Sequence, residues 1–377
     1  MNGVDLARFE FDLDTTWQAF FLDRDLNIYS RYGGRDENSA DGRQSNASLL
    51  VTMREVLEVH DRRQARAAAG IPSPLTGEGQ GGGGGGGGGP RGGGKTGDTR
   101  PATEAANATD PDFHPPPGKR TTPEDIPLLA RSHRGCVHCH QVAEYRLLQA
   151  FHDKTFSREQ LFNFPLPENI GLRIDRAHGH KIEAVLPDSP AAKAGLTAGD
   201  VVTRLSNVPI HSEQDVRWAL HRSPEGDKPT VSVSRKESDS VPATTVRVQL
   251  QLGRNWRQTE LGWRKSLRSV PLPLGCLAYA LGREERRSEK FPEDVLYIKV
   301  VSLRGGGFGR NLGLEKGDYI VALEKNRAPR SFEDFQSDLL RRYVPGDTVR
   351  LTVLRAGKEV DLEGPFPDWH TTDTSVP

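Results

Sequence analysis

The feature that most constrains the fold of this 377-residue chain is a motif that occurs twice. The pattern Gly-Leu-x-x-Gly-Asp begins at Gly195 and again at Gly313, and each copy runs into an apolar stretch of strand type. Each stretch is followed by a turn, a helix, a Pro/Gly/Asp turn and an alternating strand. The copies lie about 118 residues apart, which is too long a period for a solenoid. The pattern therefore predicts two tandem domains of one kind.

This motif and order of elements resemble the PDZ family, in the permuted form common in bacterial envelope proteins. The resemblance covers residues 169–253 and 272–363 and implies two small β-barrels or sandwiches with capping helices. The motif residues are structural, because the glycines supply positive φ and the aspartate ties the turn before the next strand. The chain as a whole is expected to be a multidomain α+β protein.

The resemblance also implies a groove between a strand and a helix in each copy. In such a groove a peptide adds as an extra strand, and the amides of a glycine loop hold its C-terminal carboxylate. The predicted loop residues are Asn169, Ile170, Gly171 and Leu172 in the first copy, and Leu274, Gly275, Cys276 and Leu277 in the second. The predicted helix wall of the first groove is Val216, Trp218, Ala219 and Leu220.

The expected partners of these grooves are C-terminal or extended peptides of other proteins. The alternative is that one or both grooves are empty spacers, and residues 278–282 depart from the usual strand pattern of the second copy. PDZ modules of this type often accompany a trypsin-like protease domain. The sequence has no Gly-x-Ser-Gly-Gly nucleophile loop and no stretch long enough for the two barrels. A non-enzymatic interaction protein is therefore predicted.

A cysteine–histidine cluster opens a helical pattern in the segment 127–167. Cys136, Cys139 and His140 form Cys-x-x-Cys-His, a spacing that lets both thiols reach the vinyl groups of one haem and the histidine reach its iron. The segment resembles a c-type haem attachment site. The resemblance implies a covalent haem c for electron transfer or redox sensing, with His140 as an axial ligand.

The second axial ligand and the cofactor itself stay open at this point. His152 is the first candidate for the second ligand, and His133 or His114 could fold back to the iron. Three alternatives to haem remain. Zinc could be held by Cys136, Cys139 and neighbouring histidines, the two thiols could form a redox disulfide, or the cluster could have no function.

The N-terminal stretch 9–62 reads as strand, turn, strand and helix. The run 17–22 suits a strand buried on both faces, residues 27–32 alternate, and a helix is predicted over 45–60. Its apolar stripe is Leu49, Leu50, Met53, Val56 and Leu57. The arrangement resembles the C-terminal half of a thioredoxin-like domain, so the module is degenerate or an upstream segment is missing. The alternative function is a thiol-disulfide oxidoreductase whose active half lies outside this chain.

Composition adds a linker and several exclusions. Residues 64–126, which contain the glycine run 81–89, are predicted to be a disordered linker. Equal numbers of basic and acidic residues, 51 of each, argue against nucleic acid as a partner. No apolar run is long enough for a transmembrane helix, and residues 1–5 show no signal peptide. Haem c is attached outside the cytoplasm, so the periplasm or cell envelope is expected, or the cytoplasm if the haem hypothesis fails.

Overall fold

The computed structural model describes residues 1–36, 38–71, 110–115, 118–132, 135–236, 240–267, 274–303 and 305–368. Its N-terminal elements are the antiparallel hairpin β1 (Gln18–Leu22) and β2 (Ile28–Gly33), followed by helix α1 (Asn46–Ala68). Ser45 caps α1, because its side chain accepts a hydrogen bond from the Ser48 amide. The predicted order of strand, strand and helix is present, and α1 continues past the predicted end.

Two helices follow the segment 110–126, namely α2 (Pro127–Ser132) and α3 (Cys139–His152). Helix α3 packs in two directions. Val142 belongs to a small core with Leu6 and Leu13 of the N-terminal segment, whereas Leu147 and Phe151 belong to the core of the last domain. Helix α3 therefore packs against both the N-terminal segment and the last domain.

The first repeat builds a small β domain with helices on its surface. Its elements are β3 (Leu172–Ile174), β4 (Ile182–Val185), α4 (Pro190–Lys193), β5 (Val201–Leu205), β6 (Val208–Pro209), α5 (Glu213–Arg222), β7 (Thr230–Arg235) and β8 (Thr244–Gln249). Strands β3 and β4 pair, β6-β5-β7-β8 form a second sheet, and a bridge between Lys181 and Val201 joins the two. Its core is lined by aliphatic side chains from every strand.

The second repeat has the corresponding elements in the same order, with one extra helix after its first strand and, in the part that the structure describes, without a counterpart of the short strand β6. They are β9 (Cys276–Ala280), α6 (Arg283–Ser288), β10 (Ile298–Leu303), α7 (Phe308–Asn311), β11 (Tyr319–Leu323), α8 (Phe332–Arg342), β12 (Thr348–Arg355) and β13 (Lys358–Pro365). They form one sheet of order β9-β10-β11-β12-β13, which corresponds to β3-β4-β5-β7-β8 of the first repeat.

The repeated motif has the same geometry in both copies. Asp200 accepts a hydrogen bond from the Thr197 amide at 2.9 Å and two from the Arg235 guanidinium at 2.7 Å. Asp318 accepts one from the Glu315 amide at 2.9 Å and two from Arg355 at 2.8 Å. The aspartate thus ties the turn, as predicted, and it also anchors the strand that follows the groove helix.

Several predictions for the N-terminal stretch are wrong in detail. Strand β1 is partly exposed along its length and Trp17 is 41% exposed, whereas every residue of β2 is buried. The reason is that β2, and not β1, lies against α5. Helix α1 buries Val56 of the predicted apolar stripe but exposes Leu50, Met53 and Leu57, because hydrogen bonds of the buried Ser48 and Thr52 hold the first half of its docked face.

The predicted bounds of the disordered linker, 64–126, include ordered residues at both ends. Its first residues belong to α1, while Phe113 and His114 are buried against β2 and α5. The glycine run lies outside the described residues. Within the described ranges, no helix is long and apolar enough to cross a membrane.

Candidate functional site

The groove of the first repeat lies between β3 and α5. Among the described residues β3 pairs only with β4, so no strand is paired with its other edge. Ser212 caps α5 by accepting from the Asp215 amide. The four residues predicted for the helix wall, Val216, Trp218, Ala219 and Leu220, are all buried members of the domain core.

The predicted carboxylate loop of the first repeat is tightly built. Ile170 and Leu172 are 0% exposed. Gly171 has a φ of 90°, and a Cβ there would lie 2.0 Å from the Ser189 hydroxyl oxygen, so only glycine fits. Its amide donates to the Glu168 carbonyl at 3.0 Å. The Asn169 side chain donates to the carbonyls of Trp256 and Gln258. Carboxylate binding by this loop stays a prediction.

The corresponding loop of the second repeat is more open. Leu274 is buried and its carbonyl accepts from the Gly309 amide, while Gly275 has a φ of 57°. Leu277 is 64% exposed on β9, the last strand of its sheet. Burial raises the pKa of the Cys276 thiol to about 12, so this cysteine is unreactive at neutral pH. Peptide binding at these four residues also stays a prediction.

The N-terminal segment covers the outer faces of α5. The Asp215 carboxylate accepts hydrogen bonds from the Ser30 hydroxyl at 2.7 Å, the Arg31 amide at 2.8 Å and the His211 amide at 3.0 Å. The Arg31 carbonyl accepts from the Ser212 hydroxyl. Trp218 donates to Glu10 at 2.9 Å. Strand β2 is therefore bound to the groove helix through polar contacts in its buried face.

His114 is buried between this segment and α5. Its Nε2 lies 3.2 Å from the Asp215 carboxylate, and its Nδ1 faces the Arg31 guanidinium. A guanidinium can only donate, so Nδ1 accepts and the proton sits on Nε2. Burial lowers the pKa of His114 to about 4, although Asp215 opposes the shift. The ring is therefore neutral at pH 7.

The neutral His114 makes stability depend on pH. The unfolded chain binds a proton near pH 6.5 while the folded protein does so only near 4, so the free energy of unfolding should fall by roughly 3 kcal/mol as pH drops through this window. A His114→Gln variant should show a flatter dependence between these values in urea titrations. Equal slopes for the two proteins would contradict the assignment.

Arg43 forms ion pairs with residues on both sides of the groove of the first repeat. Its Nη1 lies 3.0 Å from Glu168, which precedes β3, and 2.9 Å from Glu213, the first residue of α5. Its Nε lies 2.8 Å from Asp36. Although burial opposes it, the attraction of Glu213 and Glu168 raises the pKa of Arg43. Next to it, Arg176 donates to the Gln44 carbonyl at 2.9 Å.

The cysteine cluster lies away from both grooves. Cys136 is exposed, Cys139 begins α3, and all three cysteines of the chain are free thiols. The His138 and His140 rings stack at 5.8 Å. His152 is at the far end of α3 and contacts Asp153, about 18 Å along the helix from His140 at 1.5 Å per residue. The structure therefore does not bring these two predicted ligands together.

The other ligand candidates are no closer to the cluster. His114 is enclosed between Asp215 and Arg31, and His133 lies outside the described residues. Within the described ranges, no group of three or more histidine, cysteine or acidic side chains could hold a metal ion. Haem c and zinc stay untested predictions as cofactors.

Comparison with known proteins identifies the first repeat. The family model described as PDZ domain matches residues 168–250. This stretch is a PDZ domain. PDZ domains bind peptides, so the fold of this stretch implies peptide binding.

The related proteins are periplasmic serine endoproteases. A probable periplasmic serine endoprotease DegP-like from Pseudomonas savastanoi pv. phaseolicola is 30% identical over 53% of this chain and 39% of its own length. One from Marinomonas sp. is 26% identical over 52% and 38%. The periplasmic serine endoprotease DegP of Escherichia coli K12 is 41% identical over 17% and 14%. The chain thus spans about two fifths of the longer-matching relatives.

Among solved structures, the HtrA-type protease AlgW with decapeptide is 21% identical over 36% of this chain and 42% of that chain. Its TM-score of 0.22 is too low to support a structural argument.

These relatives overturn the function predicted from sequence. They are serine endoproteases, so the predicted function of a non-enzymatic interaction protein and its alternative, a thioredoxin-like oxidoreductase, are wrong. The chain is thus similar to proteases over about half of its length although its sequence has no Gly-x-Ser-Gly-Gly loop. The haem cofactor itself stays an untested prediction.

Sequence reasoning also missed the residues that most shape the groove. Glu168, Glu213 and Arg43 meet there although they are far apart in the chain. No local pattern signals such a meeting. Arg235 and Arg355 could have been found, since each ends the strand that follows its groove helix in the two aligned copies.

Proposed function

We propose that this protein acts in periplasmic serine endoproteolysis of the DegP-like class, and that its PDZ domain binds the peptide chain to be cleaved. The observation that carries the proposal is the PDZ domain at 168–250, whose strand β3 keeps an unpaired edge beside α5 among the described residues. The endoprotease relatives support the reaction class, and their periplasmic location supports that compartment.

Residues 272–363 form a second PDZ-like domain in this proposal. Support comes from the shared strand order and from the matching contacts of Asp200 with Arg235 and of Asp318 with Arg355. The backbone agrees as well. The Ile182 amide donates to the Asp200 carbonyl at 2.8 Å, and the Val300 amide donates to the Asp318 carbonyl at 2.9 Å.

Serine proteolysis needs a serine hydroxyl next to a histidine base. The nucleophile is not assigned. The Ser30 hydroxyl and His114 both face the Asp215 carboxylate, and this cluster is buried. It cannot serve as a relay to a substrate.

The proposal is tested with the full chain and unfolded β-casein. We expect casein fragments on gels, and loss of cleavage after treatment with a fluorophosphonate. Mass spectrometry of the treated protein would locate the labelled serine. Intact casein together with an unlabelled chain would overturn the protease assignment. Peptide binding is measured separately, by fluorescence anisotropy of labelled casein decapeptides.

A further inference from the structure

The groove of the PDZ domain already contains a ligand-like group from the same chain. The residues 41–45, here called the Arg43 segment, contact both walls of the groove. Arg43 reaches Glu213 on the helix side and Glu168 on the strand side. The Arg176 guanidinium, two residues past β3, donates to the carbonyls of Asp41 and Gln44, and the Ser45 hydroxyl donates to the Arg176 carbonyl at 2.8 Å.

The two walls provide an anionic site that needs a cation. The Glu213 side chain is only 9% exposed and the Arg43 side chain 13% exposed. Without a guanidinium between them, two carboxylates would face each other in a partly buried site, which costs several kcal/mol or forces one to take up a proton. Burial already raises the pKa of Glu213, and Arg43 opposes that rise.

We propose that Glu168 and Glu213 make this groove selective for arginine-bearing peptides, and that Arg43 occupies the site as an internal competitor. The inference rests on the proposed peptide binding and specifies the peptide. A planar guanidinium suits the site because Nη1 reaches both glutamates while Nε donates to the Asp36 carboxylate at 2.8 Å. An incoming peptide has to displace Arg43, which is present at the high effective concentration of a tethered group.

The test uses two fluorescein-labelled peptides and the full chain. One peptide copies residues 38–45, Asn-Ser-Ala-Asp-Gly-Arg-Gln-Ser, and the other has glutamine in place of the arginine. We expect an Arg43→Gln chain to bind the arginine peptide at least tenfold more tightly than the unchanged chain does. The glutamine peptide should bind neither chain, and adding Glu213→Gln to the Arg43→Gln chain should abolish binding.

The controls separate competition from unfolding. Arg24→Gln changes an arginine whose side chain is 92% exposed and should leave binding unchanged. Circular dichroism checks that Arg43→Gln is folded, and Arg43→Lys, which keeps the charge, should bind the arginine peptide as weakly as the unchanged chain.

Equal binding of the arginine peptide to the unchanged and Arg43→Gln chains would overturn the inference. Equal binding of the arginine and glutamine peptides would overturn it too. Either result would leave the proposed function standing if casein is cleaved. Failure of the casein assay would instead remove the protease assignment while the arginine selectivity could still hold.

Discussion

Replacing Asp12 with alanine should lower the free energy of unfolding by about 3–5 kcal/mol, because it removes the ion-pair partner of the buried Arg217 and leaves the buried Arg264 with only Asp14, at 3.4 Å. The Asp12 carboxylate lies 2.8 Å from Arg264 Nη1 and 3.1 Å from Arg217 Nη2, and all three side chains are almost fully buried. Arg217 belongs to α5, and Arg264 follows the PDZ domain. One carboxylate therefore ties the N-terminal segment to two later parts of the chain.

Urea titration followed by circular dichroism measures this loss. The matched control is Asp25→Ala, whose carboxylate is 71% exposed and 3.7 Å from the exposed Arg24. A surface pair of this kind should change the free energy of unfolding by less than about 0.5 kcal/mol. A similar small change in Asp12→Ala would mean that the buried arginines find other partners.

Replacing Asp215 with alanine should destabilise the protein by a similar amount, about 3–5 kcal/mol, and should release β2 from the groove helix. The substitution removes the carboxylate that accepts hydrogen bonds from the Ser30 hydroxyl and from the amides of Arg31 and His211 in a buried site. Each such donor costs about 1–3 kcal/mol when it is left unsatisfied. The contact between the N-terminal segment and the PDZ domain should loosen first.

Hydrogen exchange distinguishes release of β2 from a general loss of stability. For each amide, the exchange rate in Asp215→Ala is divided by its rate in the unchanged protein. We expect this ratio to be at least tenfold larger for residues 28–33 than for the core strands β5 and β7. Glu183→Ala, at an exposed position of β4, serves as the control and should leave exchange unchanged. Uniform acceleration across all strands would show that Asp215 stabilises the whole fold and does not act mainly as a local tie.

The comparison of α1 with its prediction shows where hydrophobic periodicity fails. The sequence places Leu50, Met53 and Leu57 on one stripe, yet the structure leaves them exposed. The docked face carries Thr52, whose hydroxyl donates to the His211 carbonyl at 2.8 Å, and Ser48, which bonds to the Tyr32 hydroxyl at 2.7 Å. Periodicity assumes an apolar neighbour along the whole helix, whereas here the neighbour presents polar groups to Ser48 and Thr52 and apolar groups only to Val56 and Val59.

The candidate site was predictable in part. The glycine loop at 169–172 could be located because only glycine tolerates the backbone that Gly171 adopts. The inward turn of Val216 and Leu220 and the acidic walls of the groove could not, because the direction in which a helix faces depends on what packs beside it. The predicted function was wrong because local motifs indicate the PDZ fold, and one fold occurs in proteins of different activities.

The sequence by itself determined the PDZ domain and its likeness to the second repeat, because the Gly-Leu-x-x-Gly-Asp turn, the strand alternation and the helix caps are local properties of the backbone. Only the tertiary structure decided which distant residues of the chain pack against that domain. Asp12, His114 and Arg43 reach α5 or its neighbours from positions about 100 or more residues away. Their charges become costly to leave unpaired only once packing has removed the water around them.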